Sequence, residues 1–123
     1  MEATDLYKCF SDAQRLRIVN LLAEGPLCVC HLQELIDAPQ VKMSKQLAYL
    51  KQHGFVEATR EGTWMIHRLS GQGEALIRTN LNHLRSADCA ECNALQKDLR
   101  ARERLLGKIS RSGCPQGVSR AIA

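Results

Sequence analysis

Aromatic side chains are scarce in this 123-residue chain: Tyr7, Phe10, Tyr49, Phe55 and Trp64 make up 4% of it. So few rings do not furnish a stacking platform for single-stranded nucleic acid, which needs several on one surface. No apolar run reaches the roughly 18 residues of a membrane span, and none is expected. The opening Met1-Glu2-Ala3-Thr4-Asp5 lacks a basic segment followed by an apolar one, so no secretory signal is expected either. The chain is therefore read as cytoplasmic. Its mass of 13.7 kDa allows one domain and little more.

Cysteine, by contrast, is plentiful: Cys9, Cys28, Cys30, Cys89, Cys92 and Cys114. In a reducing compartment a disulfide framework is the less favoured reading. Reduced thiols point to metal binding, redox sensing or plain burial. Net charge is only +4, so its placement says more than its size. Lys42, Lys45, Lys51, Arg60 and Arg68 outnumber Glu57 and Glu61 between Gln40 and Arg68. From Lys97 to Arg120 seven basic residues face two acidic ones, Asp98 and Glu103. These are the stretches a phosphate backbone would touch.

Hydrophobic spacing predicts a run of short helices followed by a hairpin. Leu6 and Phe10 mark the first helix. Ser11-Asp12 offers N-cap oxygens for a second, from about Ala13 to Glu24, which Gly25-Pro26 ends. A third spans about Val29 to Ile36, and Asp37-Ala38-Pro39 turns the chain into a fourth, Val41 to Gln52, closed by Gly54. The period then changes. Phe55–Arg60 and Thr63–Leu69 read as strands about a Glu61-Gly62 turn. Leu76, Ile77, Leu81 and Leu84 mark a fifth helix, and Asp88 to about Leu106 a sixth. The Gly-, Ser- and Arg-rich remainder is expected to be a disordered tail. The expected domains are thus 1–106, for DNA binding and dimerisation, and 107–123, a basic tail.

Two short helices about a tight turn, followed by a hairpin with glycine at its tip, predict a mainly α fold with a small β-hairpin, the winged helix-turn-helix. The fourth helix would enter the major groove of double-stranded DNA. Gln40, Lys42 and Ser44 stand near its start, the end that meets base edges; Gln pairs with adenine and Lys reaches guanine. Lys45 and Tyr49 complete its polar side, with Lys45 and Lys51 placed for phosphates. Arg60 near the wing tip would reach a phosphate or a narrow minor groove. Each residue alone is better read as part of an ordinary solvated helix face; the order of elements is what favours DNA. Trp64 is expected to anchor the hairpin to the core, and Cys9 to be a small core residue.

Phe10-Ser11-Asp12-Ala13-Gln14-Arg15-Leu16-Arg17-Ile18, Leu27-Cys28-Val29-Cys30-His31-Leu32, Gln40 to Leu47, Gly54-Phe55-Val56 and the Arg60–Leu69 wing together resemble the ArsR/SmtB family of metalloregulatory repressors. The resemblance covers about Leu6 to Leu69. Its most specific part, Leu27-Cys28-Val29-Cys30, is similar to the arsenic-responsive branch. It implies a homodimer bound to operator DNA that dissociates when a metal binds. Two positions depart from the family pattern: Gln33 stands where a third cysteine is common, and Gln46 where histidine is common. The family's zinc site between the last helices has no counterpart here, since only His83 with Asn80 and Asn82 is offered.

Cys28 and Cys30 are expected at the start of the third helix. Two residues apart on a regular helix means about 200° of rotation, so both sulfurs face one ion only if the helix start is distorted. A helix N-terminus is expected to favour their thiolates. The resemblance implies As(III) or Sb(III) as inducer, soft ions that take three thiolates. The third sulfur is expected from Cys89 or Cys92, of the same subunit or its partner, with Cys89 favoured. His31 could be a zinc ligand but is read as a polar surface or hydrogen-bonding residue, and Cys114 as a free tail thiol that a flexible tail could deliver to a metal. A zinc, cadmium or lead site of four sulfurs, or a thiol-redox switch, is the alternative signal. An enzyme, a thiol oxidoreductase using Cys89-x-x-Cys92, would need a strand before that motif and a parallel sheet; neither is expected. The apolar stripe Leu76-Ile77-Leu81-Leu84 is the expected dimer contact.

Overall fold

The computed structural model describes residues 2–112. In chain order the elements are α1 (Ala3–Phe10), α2 (Ala13–Ala23), β1 (Leu27–Cys28), α3 (Val29–Ile36), α4 (Gln40–Gln52), β2 (Val56–Glu61), β3 (Trp64–Leu69), α5 (Glu74–Ser86) and α6 (Ala90–Ser112). Asp12 caps α2 as its sequence position suggests: its side chain accepts from the Arg15 amide at 2.9 Å. At the end of α3, Asp37 takes a left-handed conformation (φ 57, ψ 53), which reverses the chain within two residues and lets α4 begin at Gln40.

The hairpin is one residue out of the expected phase. Glu61 pairs with Trp64, so the two-residue turn is Gly62-Thr63, and Gly62 supplies the φ of 63° that its first position needs. Trp64, at this tip, is 38% exposed and does not anchor the core. A third strand, β1, pairs antiparallel with β3, giving the order β1-β3-β2. At two residues it is too short for any alternation to reveal.

The core is aliphatic. Ile18, Val19 and Leu21 of α2, Leu32 of α3, Met43 and Leu50 of α4, Ile66 of β3 and Ile77 of α5 are all fully buried. Each such side chain contributes roughly 1.5–3 kcal/mol on leaving water. Ile77 and Leu81 of the fifth-helix stripe face inward, Leu84 is half-buried against the core, and only Leu76 remains exposed, at 44%. The stripe is thus mainly an internal seam rather than a dimer contact.

α6 is fixed to α2 by a two-point ion pair: Arg17 Nε and Nη2 donate to Asp98 at 2.7 and 3.0 Å. Buried Asn20 ties three helices, donating to the Leu95 carbonyl at 3.1 Å and accepting from Arg85 Nε at 2.8 Å. The helix runs through Gly107 to Ser112, beyond the Leu106 limit expected from sequence. One helical glycine costs only about 1 kcal/mol, and buried Leu106 anchors the turn before it. The reading of residues 113–123 as a disordered tail, and of Cys114 as its free thiol, lies outside the described residues.

Candidate metal centre and DNA interface

Cys28 is not helical. It is the last residue of β1 and the N-cap of α3, with extended backbone (φ −77, ψ 158). Only Cys30 obeys helical rotation, so the two thiols are not held about 200° apart. The chain bends at Cys28, and the sulfurs of Cys28 and Cys30 and a ring nitrogen of His31 all lie within 4.8 Å of one another with no distortion of α3. Cys28 is fully buried, His31 nearly so, and Cys30 half-buried. Cys28 Sγ stands 3.0 Å from His31 Nδ1. His31 has the hydrogen-bonding role expected of it, but it is buried within the thiol group rather than on the surface, three residues from Cys28 and so on the same side of the helix start.

Electrostatics also depart from expectation. Burial, with Cys28 as its neighbour, pushes the Cys30 thiol up to about 12, although nearby backbone amides oppose this. The helix N-terminus does not win at this depth. Burial likewise lowers His31, keeping its imidazole neutral with a lone pair to share. Two soft sulfurs and a borderline nitrogen are a donor set that suits soft or borderline ions. Cys9 is a core residue, fully buried, its thiol raised to about 12 mainly by burial.

Cys89 and Cys92 are not brought to this group. They are joined to each other by a disulfide, Cα atoms 5.1 Å apart, at the start of α6, which corrects the expectation of reduced thiols throughout. The neighbouring Glu91, Ala94 and Leu95 line a small cavity with Ala13, Leu16 and Arg17, toward the N-terminal end of α2, whereas β1 follows the other end. A third sulfur from the same subunit would have to cross most of α2, about 16 Å long.

The Cys28-Cys30-His31 group is joined to both parts that would meet DNA. Through β1 it is bonded to β3 of the wing, Cys28 opposite Ile66. Through α3 it leads by the Asp37 turn into α4. On α4, Gln40, Lys42, Ser44 and Lys45 are exposed, as is Arg60 on β2. Tyr49 is not free in the same way. Its ring lies under the Arg15 guanidinium, 4.0 Å from the centroid, and against His53 at 4.3 Å.

Gln46 faces inward. Its Nε2 donates to Asp12 and to Gln14, both at 3.2 Å, while its Oε1 accepts from Arg15 at 3.3 Å. Arg15 also donates to the Lys8 carbonyl at 2.9 Å. This polar hub links α4 to α1 and α2; from sequence, Gln46 stood out only as a departure from the family pattern and Asp12 only as a helix cap.

A tri-helical core with α3-turn-α4 and a β-hairpin wing defines a DNA-binding regulator, not an enzyme. The sequence pattern described as "Bacterial regulatory protein, arsR family" matches residues 12–58. The arsenical resistance operon repressor of Escherichia coli (strain K12) is 44% identical over 66 residues, 53% of this chain and 56% of that protein. The crystal structure of the transcriptional repressor BigR from Xylella fastidiosa superposes with a TM-score of 0.64 at 33% identity, covering 71% of this chain and 86% of that one. The homodimeric winged helix-turn-helix domain Mb0332 from Mycobacterium bovis does so with a TM-score of 0.57 at 30% identity, covering 70% and 84%. The chain belongs to the arsR family of bacterial regulatory proteins and is a DNA-binding transcriptional regulator. Among the described residues no helix is long and apolar enough to cross a membrane.

Proposed function

We propose that the protein is an arsenite- or antimonite-responsive repressor that binds operator DNA as a homodimer and dissociates when the ion binds Cys28 and Cys30. The observation that carries this reading is the convergence of both thiols at the junction of β1 and α3. An ion drawing the two sulfurs together acts on the strand bonded to the wing and on the helix leading into α4. Those two parts must keep their spacing to fit adjacent grooves. The similarity to the E. coli arsenical repressor supports the choice of ion. The third donor is a cysteine of the Cys89/Cys92 pair, reduced and supplied across the dimer. Gln40, Lys42, Ser44 and Lys45, with Arg60, contact DNA, and Tyr49 holds α4 in place. Tyr7 on α1 and Leu76 on α5, 69% and 44% exposed, suit the dimer contact.

His31 favours a second reading. A Cys28-Cys30-His31 donor set, closed by water or a further group, fits zinc or cadmium without any sulfur from α6.

Fluorescence anisotropy of the reduced protein on its promoter DNA, titrated with arsenite and separately with zinc and cadmium, tests both. Release by arsenite that is lost in Cys28→Ser and Cys89→Ser/Cys92→Ser, but kept in His31→Ala, is the expected result. Release by zinc or cadmium alone, lost in His31→Ala, establishes the second reading. No release by any of the three ions rejects both.

A further inference from the structure

α6 carries a row of cations that the fold does not use. Lys97, Arg100, Arg104 and Lys108 follow at spacings of three, four and four, so they share one face, and all four are exposed. Among the described residues none has an ion-pair or hydrogen-bond partner. The arginines of α2 and α5 behave differently. Arg15 is held by Asp12 and Gln46, Arg17 by Asp98, Arg78 by Glu74 and Arg85 by Glu24 and Asn20. The row spans about 16 Å of helix. One DNA strand presents about five phosphates over that length.

Its position matters as much as its sign. Arg104 and Lys108 line a surface groove of about 210 Å³ with Glu34 and Leu35 of α3. Leu35 lies two residues before the Asp37 turn and five before Gln40, where α4 begins. The C-terminal half of the row therefore stands beside the turn that delivers the reading end of α4. Glu34 lines the groove with them, and Glu103 is the one acid between residues 99 and 108 of α6, so cations outnumber acids on this face.

We propose that this face of α6 is a second DNA contact. It grips the sugar-phosphate backbone flanking the site that α4 reads, with Arg104 and Lys108 as the main contacts. The inference rests on the DNA-binding reading. It adds affinity without sequence preference, because phosphate contacts position and do not specify.

The test compares the wild-type protein with Arg104→Gln/Lys108→Gln on two mixed-sequence duplexes. The short one spans only two half-sites one helical turn apart; the long one extends on both sides. On the long duplex the slope of log affinity against log salt is expected to fall in magnitude by about 0.9 per lost phosphate contact, about 2 per protomer. On the short duplex the two proteins are expected to agree. Equal slopes on both duplexes overturn the proposal. So does an equal loss on both, which assigns the row to the protein's general field. A changed sedimentation coefficient with unchanged DNA slopes also overturns it, assigning the row to contact between copies. If the wild-type protein binds neither duplex, the DNA-binding reading itself fails.

Discussion

At the scale of single residues, the local backbone decides what the thiols can do. Because Cys28 is an extended N-cap and Cys30 the second residue of α3, their sulfurs meet His31 without strain in the helix. Replacing Cys28 or Cys30 by serine is expected to abolish arsenite release while changing DNA affinity less than about threefold, since Cys28 is fully buried and both lie at the start of α3 rather than on α4. Operator anisotropy with and without arsenite checks this. His67 offers a separate test of burial. Its imidazole is 4% exposed on β3, with Nδ1 unpartnered, and burial and the nearby Lys51 charge lower it from 6.5 to about 4. Between those values the unfolded chain binds a proton that the folded chain refuses. Stability is therefore expected to fall as pH drops from about 6.5 toward 4, by up to roughly 3 kcal/mol. Urea midpoints at pH 7 and pH 5 report it, and His67→Phe is expected to remove most of the slope. A slope unchanged in that variant would contradict the assignment.

At the scale of elements, α4 is held by buried Met43, Leu47 and Leu50 and, at its half-buried edge, by the Arg15–Gln46–Asp12 hub. Gln46→Leu leaves every exposed residue of α4 intact but removes the hydrogen bonds that Gln46 makes to Arg15, Asp12 and Gln14. It is expected to cost about 1–3 kcal/mol of stability and to weaken operator binding several-fold; thermal melts and anisotropy measure the two. An unchanged DNA affinity would show that packing alone orients the helix. The elements were legible where periodicity or cap chemistry is strong: Asp12 for α2, the Asp37 turn between α3 and α4, and glycine in the wing. What escaped were features without period. β1 is two residues long, and it is β1 that takes Cys28 out of the helix. Trp64 has the character of an anchor, but its register opposite Glu61 carries it to the wing tip. Gln46 belongs to a network joining residues 32 and 34 positions apart, which no local pattern records.

At the scale of the whole molecule, the proposed function requires a second copy and coupling between two sites. Leu76 is the large apolar residue that α5 leaves exposed, and Leu76→Asp is expected to raise the dimer dissociation constant at least tenfold. Sedimentation at micromolar concentration reports it; an unshifted dimer would place the interface elsewhere. The Cys28-Cys30-His31 group, the wing and α4 are joined through β1 and α3, and the proposed switch requires ion and DNA to oppose each other reciprocally. The decisive measurement is a calorimetric titration of arsenite into the reduced protein, free and saturated with operator DNA. A coupling of about 1–3 kcal/mol corresponds to arsenite binding roughly 5–150-fold more weakly on DNA, and DNA affinity falling by the same factor with arsenite bound. Equal arsenite affinity with and without DNA would contradict a switch at Cys28 and Cys30.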